Sequence, residues 1–88
     1  MAAAAVEIER EIQRLEARLP RLRRSLKKVK TLITKEGKRR NNAAKRDRPR
    51  DVVRSNQRIS VLEREHVRLC KRRDQVRDQL AGLRQRAQ

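Results

Sequence analysis

Apolar side chains recur along the first part of the chain at intervals that alternate between three and four residues. They occur at Ala5, Ile8, Ile12, Leu15, Leu19, Leu22, Leu26, Val29 and Ile33. On an α-helix this spacing aligns all of them in one narrow stripe, which is the heptad pattern of a coiled coil. The pattern therefore predicts that residues 5–36 form a long helix whose apolar stripe packs against another helix.

One proline, Pro20, lies within this predicted helix. A proline in a helix interior removes one backbone hydrogen bond and clashes with the carbonyl group four residues earlier. The heptad phase is the same on both sides of Pro20, and the residue itself lies outside the stripe. These features predict a kinked helix that continues rather than a helix that ends there.

The same alternation returns in the second half of the chain and predicts a second helix over residues 51–87. Its stripe positions are Val52, Ser55, Ile59, Leu62, His66, Leu69, Arg73, Val76, Leu80, Leu83 and Ala87. Three of these, Ser55, His66 and Arg73, are polar. Polar side chains in a heptad stripe lower stability but restrict the register and the number of helices that associate.

Residues 37–50 separate the two patterns and have the composition of a basic linker, with seven basic residues, one acidic residue and no large apolar residue. Glu36 and Gly37 are expected to end the first helix, and Pro49 disfavours helical backbone at Arg48. Asp51 is a suitable N-cap for the second helix. Residues 1–4, ahead of the first stripe, are predicted to be disordered.

Together these elements predict an all-α protein in which two long helices fold into an antiparallel helical hairpin. The expected register pairs residues whose numbers sum to about 88, so that Leu26 lies beside Leu62 and Val29 beside Ile59. An alternative is a homodimer in which each stripe pairs with its own copy, although a parallel version would place Arg73 against Arg73.

A lone hairpin leaves much of its leucine and isoleucine surface exposed, so two hairpins are expected to associate as a four-helix bundle. The residues assigned to this oligomerisation are the stripe positions Ile8, Ile12, Leu15, Leu19, Leu22, Leu26, Val29, Ile33, Ile59, Leu62, His66, Leu69, Val76, Leu80 and Leu83.

Composition adds a functional expectation to this architecture. The 88 residues include no aromatic side chain, and 27 lysines and arginines against 11 acidic residues give a net charge of +16. A field of this strength in a small protein favours an anionic partner. Nucleic acid is the first expectation, followed by an acidic protein surface. An anionic membrane is disfavoured because the stripe is narrow and carries no Trp or Phe anchor.

The basic residues are concentrated in residues 18–50, where fifteen of them accompany only Glu36 and Asp47, for a net charge of +13. Helices whose charges merely solvate them normally interleave acids with bases. The candidate nucleic-acid contacts are Arg21, Arg23, Arg24, Lys27, Lys28, Lys30, Lys38, Arg39, Arg40, Asn41, Asn42, Lys45, Arg46, Arg48 and Arg50. Without aromatic residues to stack on unpaired bases, we expect backbone contacts to duplex DNA or structured RNA with little sequence readout.

Catalytic chemistry is not expected, because the chain has one histidine, His66, and one cysteine, Cys70, and no pattern that pairs a nucleophile with a base. No metal or other cofactor is expected either. The N-terminal segment lacks the features of a secretory signal, and the lone cysteine fits a reducing compartment. The expected location is intracellular, in the nucleus or the cytoplasm.

Residues 39–48, with the sequence Arg-Arg-Asn-Asn-Ala-Ala-Lys-Arg-Asp-Arg, resemble the DNA-reading segment of basic leucine zippers. A heptad pattern follows the segment, as in that family. The resemblance implies that Asn41 or Asn42, Ala43, Ala44 and Arg48 lie in the major groove on a helix that runs on into the zipper. The chain departs from the family pattern because Arg40 and Asp47 stand where it has Asn and a small Ser or Cys.

A further alternative is a structural coiled-coil subunit of a larger ribonucleoprotein or protein assembly. In that case the helices would brace neighbouring proteins, and binding to naked nucleic acid would be weak.

Overall fold

The computed structural model describes residues 2–88 and contains two α-helices, α1 (Ala2–Lys45) and α2 (Pro49–Ala87). A short turn over residues 46–48 reverses the chain, and the helices pack side by side into a rod of 69 × 15 × 15 Å. The described residues include no strand. The all-helical hairpin expected from the two heptad patterns is therefore confirmed.

Helix α1 is longer than the sequence predicted at both ends. It continues through Pro20 and Gly37 to Lys45, so residues 37–45 of the predicted linker are helical. The reason is packing on α2, because Glu36 and Ala43 continue the stripe and are buried. At the other end α1 begins at Ala2, and the predicted disordered segment is helical from there on, as a run of alanines favours. Met1 lies outside the described residues.

The end of α1 is a Schellman motif built around Asp47. The Arg48 N–H donates to the carbonyl of Ala43 at 2.9 Å, and the Asp47 N–H donates to that of Ala44 at 3.2 Å. Asp47 adopts a left-handed conformation with φ of 55°. Glycine is the usual residue at this position, and Asp and Asn are the side chains that tolerate it best. Asp47, rather than Gly37, therefore ends the first helix.

Helix α2 begins directly after this turn. Pro49 occupies its first turn, where the missing N–H costs nothing, and Arg48 is the N-cap residue. The predicted N-cap, Asp51, instead lies inside the first turn, where its negative charge interacts favourably with the positive end of the helix dipole.

The two apolar stripes form two clusters between the helices. One contains Leu15, Val76 and Leu80, and the other contains Leu26, Val29 and Leu69. The numbers of packed residues sum to about 95 rather than 88, so the predicted pairs Leu26 with Leu62 and Val29 with Ile59 are wrong by one heptad. The shift follows from the length of α1, since a longer first helix and a tight turn move the reversal point towards the C-terminus.

Candidate nucleic-acid interface

The hairpin gathers the densest run of basic residues at one end of the rod. We call this the turn end, comprising residues 32–62, and we call the opposite end, comprising residues 3–22 and 70–88, the terminal end. Most candidate side chains from the sequence are exposed to solvent, and Arg40 is half-buried. The exposed candidates are Arg21, Arg23, Arg24, Lys27, Lys28, Lys30, Lys38, Arg39, Asn41, Asn42, Lys45, Arg46, Arg48 and Arg50.

An open cavity of about 350 Å³ lies at the turn end, between the last turns of α1 and the first turns of α2. We call it the arginine cavity. Five arginines and a single acidic residue line it, together with small or uncharged residues. The lining residues are Arg39, Asn42, Ala43, Arg46, Arg48, Asp51, Arg54, Ser55 and Arg58.

Two of the five arginines, Arg54 and Arg58, were not among the residues predicted from the sequence. They belong to α2, and a long flexible linker gave no reason to place them beside Arg39 or Arg46. The signal that would have found them is the heptad pattern itself. Ala43 continues the first stripe, so a tight turn must follow it and bring the start of α2 alongside.

Glu36 acts as an internal counterion beneath this surface. Glu36 is only 7% exposed, and its carboxylate accepts hydrogen bonds from Ser55 Oγ at 3.0 Å and from Arg58 Nη1 at 3.3 Å. Arg39 Nη1 lies 3.5 Å from its other oxygen. Arg39 and Arg58 are thus partly neutralised and held in place by the same buried carboxylate.

The other three arginines of the cavity have no such counterion. Arg46, Arg48 and Arg54 form no ion pair with any residue in the described part of the chain. Asp51, although it lines the cavity, is likewise outside every ion pair among residues 3–88. Three guanidinium groups therefore stand next to one another with their charge available to an external anion.

Other basic candidates lie on different sides of the rod. Lys27, Lys28 and Arg24 line a shallow groove on the outer side of α1. Arg23 instead lies near Arg73 and Arg77 of α2. The structure therefore assembles one concentrated arginine site and surrounds it with a more diffuse basic surface.

The two asparagines also separate. Asn42 lines the arginine cavity, whereas Asn41 is not among its lining residues. Arg40 is directed elsewhere as well, since its Nη1 donates to Asn56 Oδ1 at 3.4 Å. Of the amide side chains considered for base contacts, only Asn42 shares a site with the clustered arginines.

Four of the eight acidic residues outside the turn end form ion pairs with arginines: Glu11, Glu16, Glu65 and Asp74. Hydrogen bonds from Arg14 lower the pKa of Glu11, and hydrogen bonds from Arg68 lower the pKa of Glu65. The same contacts raise the pKa of both arginines. Arg84 Nη2 donates to Glu16 Oε1 at 3.0 Å and so joins the two helices at the terminal end. Arg14, Arg68 and Arg84 thus each have an acidic partner, whereas Arg46, Arg48 and Arg54 of the arginine cavity form no ion pair in the described chain.

The placement implied by the likeness to basic leucine zippers is not found. Ala43 is buried against α2 instead of being free to enter a groove. The turn at residues 46–48 also reverses the chain between the basic segment and the second heptad stripe. A zipper-type basic region needs one continuous helix through both, and Asp47 and Pro49 prevent this.

Comparisons of the chain with models of protein families, with curated proteins and with solved structures found no match. Neither helix combines the length and the apolar character that crossing a membrane requires, over the residues described.

Proposed function

We propose that this protein binds the phosphate backbone of duplex DNA or structured RNA through the turn end of its hairpin. The observation that carries the proposal is the arginine cavity, whose lining contains five arginines and a single acidic residue, the half-buried Asp51. Planar guanidinium groups match the geometry of phosphate oxygens and form charge-assisted, often bidentate, hydrogen bonds with them.

The basic surface of α1 extends this site along the rod. The candidate residues on α1, from Arg21 to Lys45, cover roughly 36 Å of helix at 1.5 Å per residue. One turn of duplex DNA measures about 34 Å, so the surface suits a contact over about one helical turn. Neutralising several phosphates would release counterions and make the affinity fall steeply as salt rises.

Recognition is proposed to depend on charge and shape and not on base sequence. Asn42 is the only amide side chain among the residues that line the cavity. The chain also has no aromatic residue that could stack on an unpaired base. A duplex or folded RNA presents closely spaced phosphates without requiring either kind of contact.

We further propose that two hairpins associate on the nucleic acid, as a four-helix bundle. Several of the stripe residues assigned to oligomerisation are only half-buried within one hairpin: Ile8, Ile12, Leu19, Leu22, Ile33, Leu62, His66 and Leu83. A second hairpin would cover more of this surface, and bound phosphate would reduce the repulsion between two strongly basic chains. Light scattering with and without a duplex measures the number of chains in the complex.

The same half-buried residues support a second candidate, a structural subunit of a larger ribonucleoprotein or protein assembly. Here neighbouring proteins would cover the stripe, and the isolated chain would bind naked nucleic acid weakly. Binding strength to a naked duplex therefore separates the two candidates.

The deciding experiment is fluorescence anisotropy with labelled duplex DNA, duplex RNA and a single strand at several salt concentrations. A variant with Arg46→Gln, Arg48→Gln and Arg54→Gln removes the three cavity arginines that have no ion pair. Each phosphate that the variant no longer neutralises should lower the slope of log affinity against log salt by about 0.9, so a fall of about two to three is expected.

A matched variant with Arg72→Gln, Arg77→Gln and Arg86→Gln removes the same charge from exposed positions on α2, away from the turn end. It should retain most of the affinity and of the salt slope. Equal losses in both variants would show that net charge alone drives binding. Weak binding of the unaltered protein to all three nucleic acids would refute the proposal and favour the structural subunit.

A further inference from the structure

An apolar groove adjoins the arginine cavity and shares three of its arginines. Its volume is about 640 Å³, and we call it the turn-end groove. Two of its apolar side chains, Leu32 and Val61, are 40% and 57% exposed, on different helices. The lining residues are Leu32, Lys35, Glu36, Arg39, Arg54, Gln57, Arg58, Val61 and Leu62. A phosphate backbone offers little apolar surface to match Leu32 and Val61, so this groove calls for a different ligand.

The charge around the groove is strongly one-sided. Lys35, Arg39, Arg54 and Arg58 contribute four positive charges, whereas Glu36 is the only acidic residue in the lining. That carboxylate is buried and already bonded to Ser55 and Arg58. Lys35 and Arg54 form no ion pair with any residue of the described chain. The groove thus combines an apolar floor with a cationic rim.

We propose that the turn-end groove binds an acidic amphipathic helix of a partner protein. Leucine-type side chains along one face of such a helix would pack against Leu32 and Val61, as in other helix-in-groove complexes. Glutamate or aspartate side chains on its flanks would lie near Lys35 and Arg54. This inference concerns a protein ligand and does not depend on nucleic-acid binding.

A second copy of this chain is a poorer match for the groove. Its segment richest in acids, residues 7–11, carries Glu7, Glu9 and Glu11. Glu11 is already bonded to Arg14 and lies beside Arg86 in a small cavity. Two chains that each carry a net charge of +16 would also repel each other. Charge complementarity therefore favours a different, acidic partner.

The test uses two labelled peptides of about four helical turns that share one composition of leucine and glutamate. In the first, leucines recur at intervals of three and four so that they form one face; in the second, the same residues are scrambled. Anisotropy titrations with the unaltered protein should show about ten-fold tighter binding of the amphipathic peptide. Equal affinities would mean that the groove responds to charge alone and would overturn the proposal.

A variant with Leu32→Ser and Val61→Ser removes the two exposed apolar side chains of the groove without changing any charge. It should bind the amphipathic peptide as weakly as the scrambled one. A variant with Val53→Ser and Val67→Ser alters two equally exposed valines outside the groove and should keep the ten-fold difference. Circular dichroism verifies that both variants are folded. If the first variant keeps the difference or the second loses it, the groove is not the binding site.

Two further measurements separate this proposal from the others. Duplex binding should be unchanged by Leu32→Ser and Val61→Ser, so either proposal can fail alone. Light scattering reports self-association of the unaltered protein. If the serine variant abolishes self-association and the acidic peptide does not displace a chain, the groove is an interface between copies and the partner-helix proposal is wrong.

Discussion

The two ends of the rod differ in how deeply their side chains are packed and in how much positive charge they carry. At the terminal end Leu15, Val76 and Leu80 form the most deeply buried cluster among the described residues, and three of the six acidic residues there pair with arginines, as in the Glu16 to Arg84 contact. At the turn end the stripe includes the buried polar pair Glu36 and Ser55, and the bases outnumber their partners. The most deeply buried packing lies at one end, and the larger excess of positive charge, ten bases against three acids, lies at the other.

This difference suggests that the apolar clusters stabilise the fold and the turn end binds the ligand, in a chain too small to have separate domains for the two roles. The apolar clusters supply most of the stability. They offset the repulsion among the clustered arginines, which an anion would relieve on binding. Substitutions at the two ends should therefore affect stability and binding separately.

The largest effect is expected from Leu80→Ala at the terminal end. Leu80 is 2% exposed, and its truncation should lower the free energy of unfolding by about 2–4 kcal/mol through reduced burial and a residual cavity. Urea denaturation followed by circular dichroism measures the change. Leu32→Ala at the turn end removes the same atoms from an exposed side chain and should cost less than about 1 kcal/mol. Similar losses for the two would contradict the proposed concentration of packing at the terminal end.

A smaller effect is expected from Ser55→Ala at the turn end. The Ser55 hydroxyl is buried and donates to Glu36, so its removal should cost about 1–2 kcal/mol because a buried carboxylate loses a donor. Ser60→Ala on the exposed side of the same helix is the control and should be close to neutral. Thermal denaturation of both variants tests this, and a neutral Ser55→Ala would mean that the polar pair contributes nothing to stability.

The smallest effect is expected from replacing the helical glycines, one at each end. Neither Gly37 nor Gly82 has an atom within 4 Å of an added Cβ. Gly37→Ala should raise the free energy of unfolding by about 0.5–1 kcal/mol through helix propensity. Gly82→Ala lies within the last two turns of α2 and should raise it less, because helix termini fray. A loss of stability in Gly37→Ala, measured by urea denaturation, would indicate that α1 is not helical at that point.

The heptad spacing was sufficient to predict two long helices, their stripes and their return as a hairpin. Burial of Leu15, Leu26, Leu69 and Val76 follows directly from that spacing, because position on a helix face depends only on sequence separation. The exposure of the clustered lysines and arginines follows for the same reason.

The end of α1 could not be read in this way. Gly37 looked like a terminator, but a glycine costs only about 1 kcal/mol inside a helix and the following stripe positions outweighed it. The true terminator, Asp47, is a residue that only sometimes adopts a left-handed conformation. The register and the arginine cavity both depend on the position of that turn. Ending the first helix at Gly37 instead of at Asp47 therefore shifted the predicted pairs by one heptad. It also left Arg54 and Arg58 out of the predicted binding residues.

Glu36 has a consequence for how the two helices find their alignment. Repeats of seven are degenerate, because sliding one helix past the other by a full repeat again sets stripe positions against one another. In a hairpin slipped by one heptad, so that the numbers of paired residues sum to 88, Glu36 would face Val52 and Ser55 would face Ile33. A carboxylate buried without a donor costs several kcal/mol. The buried carboxylate and its serine are therefore expected to make the slipped hairpin less stable than the observed one and so to select a single register.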